Sequence, residues 1–161
     1  MPEGSQSNVG GERRPRRADG KESDVEWKLE LVVVPVADVD RSLAFYRDQV
    51  GFRLDVDHRA GNFRVVQMTP NGSACSITLM PGPAAPGALK GLHLIVTDID
   101  AARGELVGRG VRASELFHFT AGRRTPGRHP ERADYGSFFG FEDPDGNGWM
   151  VQEVGGGRAA A

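Results

Sequence analysis

Few side chains in this sequence combine reactive chemistry with a strand-like setting. His93 stands in the run Leu92-His93-Leu94-Ile95-Val96. Side chains alternate along a strand, so His93 faces away from Leu92 and Leu94. An unperturbed imidazole titrates near neutral pH, which makes His93 the leading candidate for acid–base work. The competing reading is a polar wall residue that contacts a ligand or a neighbour. Gln152 adds an amide with the same strand-face character. Ser76 and His93 are expected to share a surface, but no Gly-x-Ser-x-Gly nucleophile elbow occurs. Cys75 has the opposite parity to Thr78 and is expected to pack as a small buried hydrophobe.

Two further groups bear on ligands. Phe63, Phe138, Phe139 and Phe141 offer an aromatic floor for a planar molecule, with Phe139 taken as the contact. By alternation Phe139 lies with Phe141, and Phe138 points the other way. The stretch from Thr120 to Ala133 is polar, rich in Gly and Arg, and long for a connection in a small module. It is expected to be a loop: either a lid whose Arg123, Arg124, Arg128, His129 and Arg132 meet an anionic group, or a solvated segment.

The elements that position these groups come as a repeat. Val36-Ala37-Asp38-Val39-Asp40 matches Val96-Thr97-Asp98-Ile99-Asp100. Each segment follows an apolar strand pattern, Leu31 to Val34 and Leu92 to Ile95. Each leads into a helical pattern, with Val39, Leu43, Tyr46 and Val50 on one face of the first helix and Ile99, Ala102, Leu106 and Val107 on one face of the second. Asp38 and Asp98 are expected N-caps, and Gly51 and Gly110 expected stops. Strand patterns follow at Phe52 to Asp57 and Val111 to Phe119, then at Phe63 to Met68 and Tyr135 to Phe141. The turns Pro70-Asn71-Gly72 and Pro144-Asp145-Gly146 lead into last strands at Ala74 to Met80 and Trp149 to Val154. The offset between halves grows from 60 (Val36 to Val96) to 74 (Pro70 to Pro144), which the Thr120 to Ala133 insertion explains. The expectation is an α+β fold of two tandem βαβββ modules, forming a curved sheet around a ligand cleft. Module one spans 27–80, a Pro/Gly/Ala linker 81–88, and module two 89–155.

Composition excludes several functions. With 20 Lys plus Arg against 22 Asp plus Glu, the chain has no electrostatic footprint for nucleic acid or anionic membrane. No segment approaches a membrane span, and no apolar stretch near the start reads as a signal peptide. A single cysteine forbids an intrachain disulfide and is compatible with a reducing cytoplasm. Residues 1–26 hold few large apolar groups and are expected to be a disordered tail. Its Arg13-Arg14-Pro15-Arg16-Arg17 run reads as a solvated arm more readily than as a nucleic-acid site. Residues 156–161 are expected to fray.

Two runs carry a family resemblance. The segment from Leu31 through Val36-Ala37-Asp38-Val39-Asp40 and Phe45-Tyr46 to Gly51-Phe52 resembles the opening of a vicinal oxygen chelate protein. That superfamily includes glyoxalase I, extradiol dioxygenases and bleomycin-resistance proteins. The segment from Phe141 through Pro144-Asp145-Gly146-Asn147 to Trp149 is similar to the family's final hairpin. The resemblance spans roughly residues 28 to 154. It implies paired βαβββ modules, frequent homodimers and a cavity on the sheet. It also implies first-strand metal positions at Leu31 and Gly91 and last-strand positions at Thr78 and Met150. None supplies a usual ligand for a divalent ion. A two-residue slip along the strands gives Val33, Met80, His93 and Gln152, with His118, His129 or Glu153 as possible additions from loops. The expectation is therefore no metal and no cofactor. The expected ligand wall is Leu31, Val33, Phe63, Gln67, Ser76, Thr78, Met80, His93, Phe139, Met150 and Gln152. The first functional reading is a cytoplasmic homodimeric small-molecule binder of the bleomycin-resistance type. The second is an enzyme of the same fold with His93 as base or as ligand of an unusual metal site.

Overall fold

The computed structural model describes residues 25–155. Apart from residues 25 and 26, the expected N-terminal tail lies outside the described residues, as does the expected fray at 156–161. The described chain runs β1 (Leu31–Pro35), α1 (Val39–Ala44), β2 (Arg53–Ala60), β3 (Phe63–Thr69), β4 (Ser76–Met80), β5 (Leu92–Val96), α2 (Ile99–Gly108), β6 (Phe117–Thr120), β7 (Arg123–Pro126), β8 (Ser137–Glu142) and β9 (Gly148–Glu153). The first sheet has the order β1-β4-β3-β2 and the second β5-β9-β8-β6-β7. In each, the first strand pairs parallel with the last: Val33 opposite Thr78, and His93 opposite Met150. The fold is α+β with two βαβββ modules, divided into two sheets of four and five strands.

Both helices start as the capping chemistry requires. The Asp38 carboxylate accepts from Arg41 N and the Asp98 carboxylate from Ala101 N, each at 3.0 Å. The first helix widens into π-helical turns over Phe45–Val50 and ends at Gly51 in the left-handed region. Adjacent side chains on a regular helix point about 100° apart. Here neighbouring Phe45 and Tyr46 are both buried, in edge contact at 5.2 Å. Val107, expected on the buried face of α2, is 45% exposed. It follows Leu106 by one residue, which rotates it out of the Ile99, Ala102, Leu106 stripe.

One core serves both modules. Val34, Val66, Met68, Ile77 and Leu79 from the first sheet join Phe139, Phe141, Trp149 and Val151 from the second. The module-two turn clasps module one at this junction. The Asp143 carboxylate, nearly unexposed, accepts from Tyr46 OH at 2.8 Å and from the backbone N–H of Asp145 and Asn147, each at 2.9 Å. Asn147 Nδ2 donates to Asp143 at 2.8 Å and to the Pro35 carbonyl at 2.9 Å. Arg41 reaches Asp145 at 2.9 Å. The linker passes so close that a Cβ on Gly87 would lie 2.0 Å from the Asp145 carbonyl oxygen, and Gly87 has a φ of +79°.

Two sequence expectations need correction. The strand expected over Val111 to Phe119 is interrupted: a bridge at Ala113–Phe141 precedes β6. The Ser114 hydroxyl accepts from Gly140 N at 3.0 Å, taking the place of a backbone ladder bond. The insertion from Thr120 is not simply a loop. Ala121 and Gly122, both with positive φ, make a two-residue turn, and β7 pairs with β6 as a fifth strand. The segment after β7 is fastened inward. Glu153, fully buried, pairs with Arg128 at 2.6 Å and Arg132 at 3.2 Å.

Candidate functional site

Strand alternation leaves each sheet one face turned away from the shared core. On the first sheet that face carries Leu31 opposite Ser76, and Val33, Thr78 and Gln67 in one row. Met80 lies at the end of β4 opposite Pro35, and Phe63, 53% exposed, starts β3. Ser76 and Thr78 are themselves buried, and Ser76 Oγ lies 2.7 Å from Thr69 Oγ1. On the second sheet the corresponding face carries His93, Met150 and Gly140 in one row. Ile95, Gln152 and Phe138 follow in the next. Phe139 is the exception among the candidates. It pairs with Val151 on the core face and has no exposed surface, so the aromatic on the open face is Phe138. Cys75 precedes β4 in a loop and is only partly buried, not packed beneath the helix.

A cavity of about 720 Å³ opens at the end of the second sheet. Of the predicted set, it brings together His93 and Met150. Core rings back it: Phe141 and Trp149 stack 6.0 Å apart, and Phe45 approaches Phe141 at 6.5 Å. Gly91, Gly140 and Gly148 leave bare backbone there. Gln49, Lys90, Arg112 and Glu142 supply the polar rim. Lys90 is occupied by Glu142 at 3.2 Å. Sequence reasoning missed Gln49 and Arg112. The first sits on a helix read for its apolar face, and the second in a stretch read as a regular strand.

His93 has a defined orientation. Its Nδ1 lies 2.7 Å from the Gly91 carbonyl oxygen. A carbonyl only accepts, so Nδ1 carries the proton in the neutral ring and Nε2 presents its lone pair. Gly91 holds the carbonyl there with a φ of +82°, which favours glycine.

The residues present do not fit a divalent metal. Leu31 and Gly91 have no donor, and the Thr78 hydroxyl and Met150 thioether suit such an ion poorly. Of the further donors, Glu153 is held by its two arginines, while His118 Nδ1 lies 2.8 Å from the Gly127 carbonyl and His129 Nδ1 accepts from Glu131 N at 3.3 Å. Among the described residues, no three His, Cys, Asp or Glu side chains group as a metal site.

The strongest perturbation lies in the clasp beside this cavity. Burial pushes the Tyr46 phenol well above its ordinary range, and the Asp143 charge adds to the effect. Tyr46 stays protonated, donating to Asp143 and accepting from Trp149 Nε1 at 2.9 Å.

Two modules of this order, one shared core and a cavity on the second sheet's end define the class. The chain belongs to the Glyoxalase/Bleomycin resistance protein/Dioxygenase superfamily, whose family model matches residues 28–151. It is similar to TnmS3, an antibiotic binding protein from Streptomyces sp. CB03234, at 30% identity and a TM-score of 0.65, over 83% of this chain and 99% of that one. A glyoxalase/bleomycin resistance protein from the same organism aligns at 31% identity and a TM-score of 0.61, over 78% and 100%. A superfamily member from Sphaerobacter thermophilus DSM 20745 aligns at 27% identity and a TM-score of 0.63, over 80% and 98%. No curated protein matches the chain. Among the described residues no helix is long and apolar enough to cross a membrane.

Proposed function

We propose that the chain binds a small aromatic molecule without a metal, in the cavity on the second sheet. The observation that carries this reading is the cavity of about 720 Å³, backed by the stacked Phe141 and Trp149 rings and rimmed by polar groups that include His93 and Arg112. The antibiotic binding described for TnmS3 supports the ligand class. We further propose a homodimer in which a second copy covers the open sheet faces. Half-exposed Val33, Val56, Phe63 and Ile95 on those faces support it. The lone Cys75 fits a cytoplasmic setting, where such a protein would sequester a toxic compound.

The second reading is an enzyme in which the His93 Nε2 lone pair accepts a proton from the bound molecule. One experiment separates the two. In the Trp27→Phe variant, Trp149 is the sole tryptophan and reports directly on the cavity. Metal-free bleomycin and a set of aromatic antibiotics are titrated against its fluorescence. The binding reading expects a saturable change that Met150→Glu removes, with the compound recovered unchanged by mass spectrometry. A compound recovered with altered mass, and recovered intact from His93→Ala, would establish the enzyme. Light scattering should give twice the 17.4 kDa chain mass, and a monomer at high micromolar concentration would overturn the dimer.

A further inference from the structure

The β6–β7 hairpin adds three side chains to the open face beyond the cavity. Phe117 pairs with Phe138 across β6 and β8, and Phe119 with Arg124 across β6 and β7. Phe117 and Phe138 stack at 5.6 Å, and the Phe119 ring meets both edge-on, at 5.8 and 5.6 Å. The Arg124 guanidinium carbon lies 3.7 Å from the Phe117 ring centroid. Phe117 is buried, while Phe119 remains 51% exposed.

The charges on this surface are unbalanced. Among the described residues, every arginine except Arg112, Arg123 and Arg124 has a carboxylate within ion-pair distance. Arg112 lines the cavity, and the Arg124 guanidinium sits over the Phe117 ring. A guanidinium fixed against a ring loses little freedom when it pairs with an anion, and its fork matches planar oxyanions. Phe138 stands in the row next to His93, Met150 and Gly140. Same-face residues along a strand are about 7 Å apart, so the trio continues the cavity's surface.

We propose that Phe119, Phe138 and Arg124 form a recognition subsite for a planar aromatic anion. The ring stacks on one of the two phenylalanines and meets the edge of the other, and the anionic group meets Arg124. This rests on the reading that the same open face binds a small molecule, and it names the chemistry that face selects. The insertion then sets specificity as a fixed hairpin and does not act as a lid.

The test uses two fluorescent probes of one shape, 1-pyrenesulfonate and neutral 1-pyrenemethanol, titrated calorimetrically into the full chain. The subsite predicts that Arg124→Gln weakens 1-pyrenesulfonate about two- to fivefold, the range of an exposed charge pair, with 1-pyrenemethanol unchanged. Arg124→Lys should keep much of the preference, and Phe119→Ala should weaken both probes. Melting curves of each variant confirm that the fold is intact. Equal effects of Arg124→Gln on both probes, no effect of Phe119→Ala, or no binding of either probe would overturn the subsite. If binding responds to Met150→Glu but not to Arg124→Gln or Phe119→Ala, the subsite fails while the cavity reading stands. If it responds to Arg124→Gln and Phe119→Ala while no compound perturbs Trp149, the cavity reading fails and the subsite stands.

Discussion

The two modules share a backbone plan and use it differently. Val33 opposite Thr78 in module one corresponds to His93 opposite Met150 in module two. Their turns diverge further. Pro70-Asn71-Gly72 is largely exposed, and the Asn71 side chain reaches the Gly51 carbonyl at 3.5 Å. The turn from Asp143 to Asn147 is anchored by those two residues, both buried, and is bonded to Tyr46, Pro35 and Arg41. The same Pro-x-Gly sequence is thus a plain turn in one module and the clasp between modules in the other. The lesson is that a repeated motif fixes backbone shape, while the residues beside it decide whether it closes a hairpin or holds two modules together.

The largest break in this comparison should come from Asp143→Ala. It leaves the Tyr46 O–H, one Asn147 amide N–H and the backbone N–H groups of Asp145 and Asn147 without their acceptor, so a loss of about 3–5 kcal/mol is expected. Asn71→Ala in the corresponding turn should change stability by no more than about 0.5 kcal/mol. Urea unfolding of both variants measures the contrast, and equal losses would remove it. Tyr46→Phe should cost less than Asp143→Ala, about 1–3 kcal/mol, because it leaves one carboxylate oxygen and the Trp149 N–H without that partner.

Much of this was legible beforehand. The repeat and the caps at Asp38 and Asp98 followed from spacing, because local capping and strand alternation act on neighbours in sequence, whereas the parallel pairing of first and last strands is a long-range feature that spacing did not give. His93 and Met150 fell on the predicted face for the same reason. Phe139 was assigned to the wrong face because a run of alternating aromatics does not say which side meets the core. The hairpin was hidden because its Ala121-Gly122 turn needs a positive φ at an alanine. Arg128 and Arg132 looked available for a ligand because their partner, Glu153, comes from a strand more than 20 residues away.

A smaller effect sharpens the comparison from the side of module one. Its edge strand β2 carries acids held below the usual carboxylate range: Asp57 by the Arg64 guanidinium, and Asp55 by the Thr69 hydroxyl and then Arg53. Depressed carboxylates stabilise above their unfolded value of about 3.9, and the contribution is lost as pH falls through the folded value. Hydrogen exchange should therefore show the β2–β3 hairpin loosening first below about pH 4, with high salt blunting the difference. Earlier loosening of the second sheet would contradict it.

The central claim is a site of this family that works without its metal. Leu31, Thr78, Gly91 and Met150 are equivalent across the two modules, and none is suited to hold a divalent ion. An ion that binds only the folded chain would stabilise it by about 2.7 kcal/mol at a hundredfold excess over its Kd. The decisive measurement is the melting midpoint of untagged protein with chelator, and with added zinc, nickel, manganese or iron(II). The predicted result is one midpoint throughout. A metal-dependent rise that His93→Ala or Gln152→Ala abolishes would contradict it, and would show a site moved two residues along its strands.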